Sequence, residues 1–156
     1  MIRPAKPALR AALLERLEHE LATAREAHAA AIEGATHEEA RPENDKDTRG
    51  LEQSYLARGL AQRVAELDAA VAAVGKMTLA AGEVVAIGAL VTVEEDDAER
   101  RFFVAPSGGG LELGGGIAVV TPSSPIGRAL LGRRVDDECE VQAGARKRIF
   151  VIASIS

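Results

Sequence analysis

The sequence predicts an α+β protein: an N-terminal antiparallel helical hairpin, or coiled coil, over residues 1–76, then an antiparallel β domain with one short helix over 77–156. Three observations carry this. Two segments of the first half have apolar residues at alternating spacings of three and four, the period of a helix that pairs with another helix. The second half switches to short β-favouring runs separated by turns. One Ser-Pro-initiated segment interrupts those runs with a helical pattern.

In the first helical segment Leu14, Leu17, Leu21, Ala24, His28 and Ala31 form the seam, and in the second Leu60, Val64, Leu67, Val71 and Val74. Charged residues such as Glu15, Arg16, Glu18, Arg25, Arg63 and Glu66 fill the outward faces. A lone helix of this kind is marginally stable in water. Two of them joined by a short polar stretch fold back on each other, so helices are expected near residues 8–40 and 48–74. His28 reads as a polar interruption that helps to set register. Between the helices, Gly34 is a candidate stop and Thr36-His37-Glu38-Glu39 has the form of a capping box. Pro42 disfavours helix at Arg41. Asn44, Asp45 and Asp47 are candidate N-caps of the second helix, and Gly75 marks its end. His37 and Glu38 fit the cap rather than a metal site, since no His-x-x-x-His spacing accompanies them.

Leu90–Val93, Arg101–Val104, Ile117–Val120, Cys139–Val141 and Ile149–Ile152 read as strands. Phe102 and Phe103 are adjacent, so a regular strand sends them to opposite faces. Gly108–Gly110 and Gly114–Gly116 lack the Gly-Lys-Ser/Thr ending of a phosphate loop and read as a flexible hairpin loop. Ser124 is the expected N-cap of the short helix, Pro125 its first residue and Gly132 its stop.

Composition narrows the function. The formal net charge is −5, and the acidic excess is spread over both halves, which disfavours direct binding to duplex DNA. Cys139 is the only cysteine, so neither an internal disulfide nor a thiolate cluster is possible; it reads as a small buried apolar residue. No stretch has the length of a signal peptide or a membrane span, and a reduced cytoplasmic protein is expected. Arg133, Arg134, Arg146, Lys147 and Arg148 lie near Asp136, Asp137 and Glu138, a mixed solvated surface.

The stretch Ser123-Ser124-Pro125-Ile126-Gly127-Arg128-Ala129-Leu130-Leu131-Gly132-Arg133-Arg134-Val135-Asp136-Asp137-Glu138 resembles the C-terminal signature of the bacterial Gre-type (GreA/GreB-like) transcription elongation factors. The order of long hairpin, linker and β domain resembles that family over nearly the whole chain. The resemblance implies an FKBP-like C-terminal domain and an accessory factor rather than an enzyme. It implies RNA polymerase as partner, with the hairpin inserted through the secondary channel toward the transcript 3′ end. Ser124, Pro125 and Ile126 are then polymerase-docking candidates. The hairpin-tip acids Glu43, Asp45 and Asp47 would help polymerase hold an Mg²⁺ ion that the isolated protein does not bind stably. The polymerase would then cleave backtracked transcripts. Counting back from Gly59, which is similar to a glycine of the family's second helix, places Asn44 where cleavage-active members carry Asp and Asp47 where they carry Glu. That departure leaves open a non-cleaving regulator that occupies the channel and competes with other factors. The structural reading of the same acids, a solvated turn capping the second helix, coexists with either. Prolyl isomerase activity is disfavoured, because the β-rich half has no Tyr or Trp and only Phe102, Phe103 and Phe150 as aromatics.

Overall fold

The computed structural model describes residues 5–39, 49–79 and 82–156, with side-chain burial also left undefined for 36–39 and 49. Two long helices, α1 (Lys6–Glu39) and α2 (Arg49–Lys76), precede a six-stranded sheet and a short helix. The chain forms two compact units, residues 15–71 and residues 1–14 with 72–156. The base of both helices therefore groups with the β domain, whereas a division after residue 76 was the sequence expectation.

The unit 15–71 is a helical pair. Leu17, Leu21, Ala24, Ala31 and Ala35 of α1 and Leu67 of α2 are buried, with Leu60, Val64 and Val71 half-buried. Ion pairs Arg25–Asp68 at 2.9 Å and Glu20–Arg63 at 3.5 Å cross the outside of the seam. Both are exposed, so each contributes well under about 1 kcal/mol. The apolar seam holds the pair together, and it thins from leucine to alanine along α1. Leu67→Ala is expected to lower the stability of this hairpin by about 2–4 kcal/mol, read as an earlier helical melting transition in circular dichroism. An unchanged transition counts against an enclosed Leu67.

Three details differ from the sequence expectation. Gly34 does not end α1, whose backbone runs on as one helix to Glu39. Gly34 faces the partner helix, and a Cβ on it would lie 3.3 Å from Gln53 Oε1. A small residue at a close helix contact explains this glycine better than a stop. Gly75 likewise lies inside α2, one residue before its end. At the base, the seam passes through Leu9 and Leu13, both buried, while Leu14 is only half-buried. Tertiary packing sets that register. Leu13 lies against Gly108, where an added Cβ would meet Leu13 Cδ1 at 2.6 Å, and Arg10 donates to the Met77 carbonyl at 3.2 Å.

The sheet consists of β1 (Leu90–Glu95), β2 (Ala98–Val104), β3 (Glu112–Leu113), β4 (Ile117–Val120), β5 (Glu138–Ala143) and β6 (Arg146–Ile155), in the order β3-β4-β2-β1-β6-β5. It is antiparallel except between β2 and β4, which run parallel. That exception follows from β3, absent from the sequence expectation. The Gly108–Gly110 and Gly114–Gly116 runs are turns on either side of this two-residue strand, not one open loop, so the chain reverses twice before β4. Gly108, Gly110, Gly115 and Gly116 all have positive φ, a conformation that costs glycine nothing.

Period-two alternation sorts the sheet's side chains. Phe102 shares a face with Val91, Val93, Val104, Phe150 and Ile152 in one buried cluster. Phe103, fully buried, points the other way with its register partners Leu90 and Val119. Cys139 is buried within the first cluster, and that burial pushes its thiol pKa up. It is a packing residue, as expected.

Candidate functional site

The short helix α3 (Pro125–Leu130) closes one side of a groove on the Phe102 face of the sheet. Its local sequence accounts for its position. The Ser124 backbone is extended, and its Oγ accepts from Gly127 N–H at 3.0 Å while donating to the Thr121 carbonyl at 2.8 Å. One hydroxyl therefore satisfies a free N–H of the first turn and ties that turn to the chain before it. Pro125 follows at the position where its missing N–H costs nothing. The Leu131 N–H bonds back to Gly127 O at 3.0 Å, and Gly132 leaves the helix at φ 80°. Gly127 is required by proximity, since a Cβ there would sit 1.7 Å from the Thr121 carbonyl oxygen.

The groove has a volume of about 390 Å³. Phe102, Ala118, Val120 and Val141 supply apolar surface beneath it, and Ser124, Pro125 and Ile126 form part of its wall. The structure thus brings the three docking candidates together at one concavity. Pro125 is exposed there, and Ser124 and Ile126 are half-buried. A concave apolar surface with a few polar groups is suited to receiving an apolar side chain from a partner. Glu43, Asp45 and Asp47 lie outside the described residues. Among the described residues no group of three His, Cys, Asp or Glu is placed to hold a metal ion.

Arg148 also lines the groove, and sequence reasoning placed it on a generic charged surface. Its guanidinium donates two hydrogen bonds to Glu95, Nε to Oε2 at 2.7 Å and Nη2 to Oε1 at 2.8 Å. It also lies 4.9 Å from the Phe150 ring centroid, and Phe150 meets Phe102 edge-on at 6.0 Å. Alternation along Arg146, Arg148, Phe150 and Ile152 put Arg148 on the core-facing side and was legible. Its partner, 53 residues away, was not. Of the other basic residues, Arg134 pairs with Glu83 and Lys147 with Glu140, both at the surface.

The Arg148 hydrogen bonds hold the Glu95 carboxyl below the usual carboxylate range, with Coulomb attraction to Arg148, Arg100 and Arg146 adding to them and partial burial opposing. A carboxyl lowered by folding stabilises the protein fully above its pKa in the unfolded chain, and that contribution fades as pH falls through the folded pKa. Thermal stability is therefore expected to decline on acidification below about pH 4.5, and Glu95→Gln to flatten the decline in that range. Parallel declines in the two proteins count against this pair as an acid-sensitive tie.

Residues 80–156 match the family model described as "Transcription elongation factor, GreA/GreB, C-term". The transcription elongation factor GreA of Sphingopyxis alaskensis is 34% identical over 79 residues, 50% of this chain and 48% of that protein, so the matched region spans about half of that relative's length. GreA of Xanthomonas campestris pv. campestris is 29% identical over 147 residues, covering 92% of this chain and 90% of that protein. Among solved structures, the GreA factor homolog 1 (Gfh1) protein of Thermus thermophilus aligns with 25% identity and a TM-score of 0.41, over 92% of this chain and 94% of that one.

Proposed function

This chain belongs to the Gre-type family of transcription elongation factors, and from that premise we propose that it binds RNA polymerase, enters the secondary channel with its hairpin and stimulates cleavage of backtracked transcripts. The observation that carries this reading is the hairpin. α1 and α2 have 34 and 28 residues, about 40–50 Å of helix at 1.5 Å per residue. Glu43, Asp45 and Asp47 stand in the sequence that links them. A paired stalk of that length gives carboxylates a reach that a surface loop lacks.

The donor set suits Mg²⁺, which prefers carboxylate oxygens, keeps several waters and takes one or two protein carboxylates. Such an ion, held by Glu43, Asp45 or Asp47 together with polymerase's own ligands, would supply charge stabilisation for phosphoryl transfer. The protein's part is to present negative charge at the end of a stalk, with too few ligands to retain the ion alone. The reaction remains the polymerase's, and this chain is its accessory factor. Ser124, Pro125 and Ile126 serve as the docking wall, with the groove beside them receiving an apolar side chain of the polymerase. The net charge of −5 leaves duplex DNA as an unsuitable partner. No described helix is long and apolar enough to cross a membrane, and the proposed site of action is the cytoplasm.

Asn44 favours a second reading, because cleavage-active members carry a carboxylate at the position it matches. On that reading the protein occupies the channel without promoting cleavage and displaces other channel-binding factors. A transcript-cleavage assay on backtracked complexes separates the two. Faster cleavage with the protein present supports the first. Polymerase binding with cleavage no faster than in its absence supports the second. Absence of polymerase binding overturns both.

A further inference from the structure

In a helical pair, positions pointing away from the seam face water and take polar side chains. On α2 the seam is marked by Gln53, which lies against Gly34, then by half-buried Leu60 and Val64 and buried Leu67. Leu51, Tyr55, Arg58 and Gln62 recur at helical spacing on the opposite face, and all four are exposed. Leu51 has 56% of its surface in water and Tyr55, the chain's single tyrosine, 60%. The Arg58 guanidinium sits 5.6 Å from the Tyr55 ring centroid and forms no ion pair with a described residue. Among the described residues these side chains lie outside the buried seam, with Gln62 donating to Glu66 of the same helix at 3.3 Å. Ile32 and Leu56, also exposed, enlarge the apolar surface of the same unit.

We infer that Leu51, Tyr55 and Arg58 anchor the hairpin to a protein surface that offers an apolar pocket beside a carboxylate, and that this surface is the wall of the polymerase channel. The inference rests on the proposed function for the identity of the partner. The chemistry of the partner comes from the side chains. Leu51 and Tyr55, one helical turn apart, fill an apolar pocket. Arg58, without an ion pair to any described residue, places a positive charge next to them, which a partner carboxylate complements. Tyr and Arg are the residue types that concentrate binding energy in protein interfaces. A base of the transcript stacked on Tyr55 is the competing contact, but it gives Leu51 no role.

The test uses the full chain and core polymerase free of nucleic acid. Tyr55→Ala and Leu51→Ala are each expected to weaken binding by about tenfold, and Arg58→Glu by more than Arg58→Ala. The thermal transition should not move, because these side chains are outside the packed seam. A photoreactive p-benzoylphenylalanine replacing Tyr55 should crosslink to a polymerase subunit. Affinities within about twofold of wild type, or crosslinking only to transcript in backtracked complexes, overturn the inference. Weaker binding by Ile126→Ala with unchanged binding by the Tyr55 and Leu51 variants also overturns it, while leaving the docking groove and the proposed function intact. A wild-type chain that does not bind polymerase overturns the proposed function, and this inference with it.

Discussion

Asp45→Asn combined with Asp47→Asn is expected to bring transcript cleavage in backtracked complexes down to the rate measured without the factor, a fall of about 100-fold or more, with polymerase binding retained within about twofold. The size of the effect follows from the role proposed for these residues. Metal stabilisation of a phosphoryl-transfer transition state is worth several kcal/mol, and each 1.4 kcal/mol of barrier is about tenfold in rate. Replacing two carboxylates in the sequence that links α1 and α2 changes no residue of the groove beside α3, so docking should persist. Parallel losses of binding and cleavage would show that the acids hold the protein in the channel rather than acting on the metal. If the wild-type protein binds without accelerating cleavage, Asn44→Asp is the informative change. Cleavage created by that single substitution would assign the missing activity to the amide.

Gly127→Ala is expected to destabilise the β domain by about 3 kcal/mol or more and to weaken polymerase binding with it. Ordinary overpacking costs about 1–3 kcal/mol because side chains can rotate away. Here the new Cβ would lie 1.7 Å from the Thr121 carbonyl oxygen and 2.7 Å from its carbon, so backbone has to move. Shifting α3 also disturbs the Ser124 hydroxyl that bonds to both Thr121 and Gly127. Ser124→Ala provides the calibration, since loss of an N-cap alone costs about 1 kcal/mol. Thermal unfolding checks the order of the two effects. A Gly127→Ala protein as stable as Ser124→Ala would mean that the Thr121–Gly127 approach is relieved by a small local adjustment.

Much of the architecture was legible because it depends on local periodicity and capping. The alternating three-four spacing required two paired helices, and the described α1 and α2 begin and end within a few residues of the expected bounds. Ser124, Pro125 and Gly132 specified α3 by satisfying or omitting backbone donors at its ends, a chemistry contained in adjacent residues. Alternation placed Phe102 and Phe103 on opposite sheet faces before any strand partner was known. The docking candidates Ser124, Pro125 and Ile126 came from the family signature around that helix, and the groove beside them appears only when β2, β4 and β5 are brought under it.

What periodicity leaves open is which of several compatible surfaces finds a partner elsewhere in the chain. Leu13 and Leu14 are equally apolar, and Leu13, which lies against Gly108, is the one that tertiary packing buries. Gly34 and Gly75 have the residue type of a helix stop, yet both remain helical, Gly34 where the neighbouring helix comes close. A two-residue strand between glycine runs has too little sequence to announce itself, so β3 and the parallel β2–β4 pair came from the fold alone. Arg148 belongs to the same class, because its bidentate tie to Glu95 spans 53 residues. By itself, then, the sequence determined the helices, most strands, the α3 caps and the family signature, all set by neighbours within a few residues. Tertiary structure decided the seam at the hairpin base, the strand order, the groove and the Glu95–Arg148 tie, because each depends on distances between residues far apart in the chain.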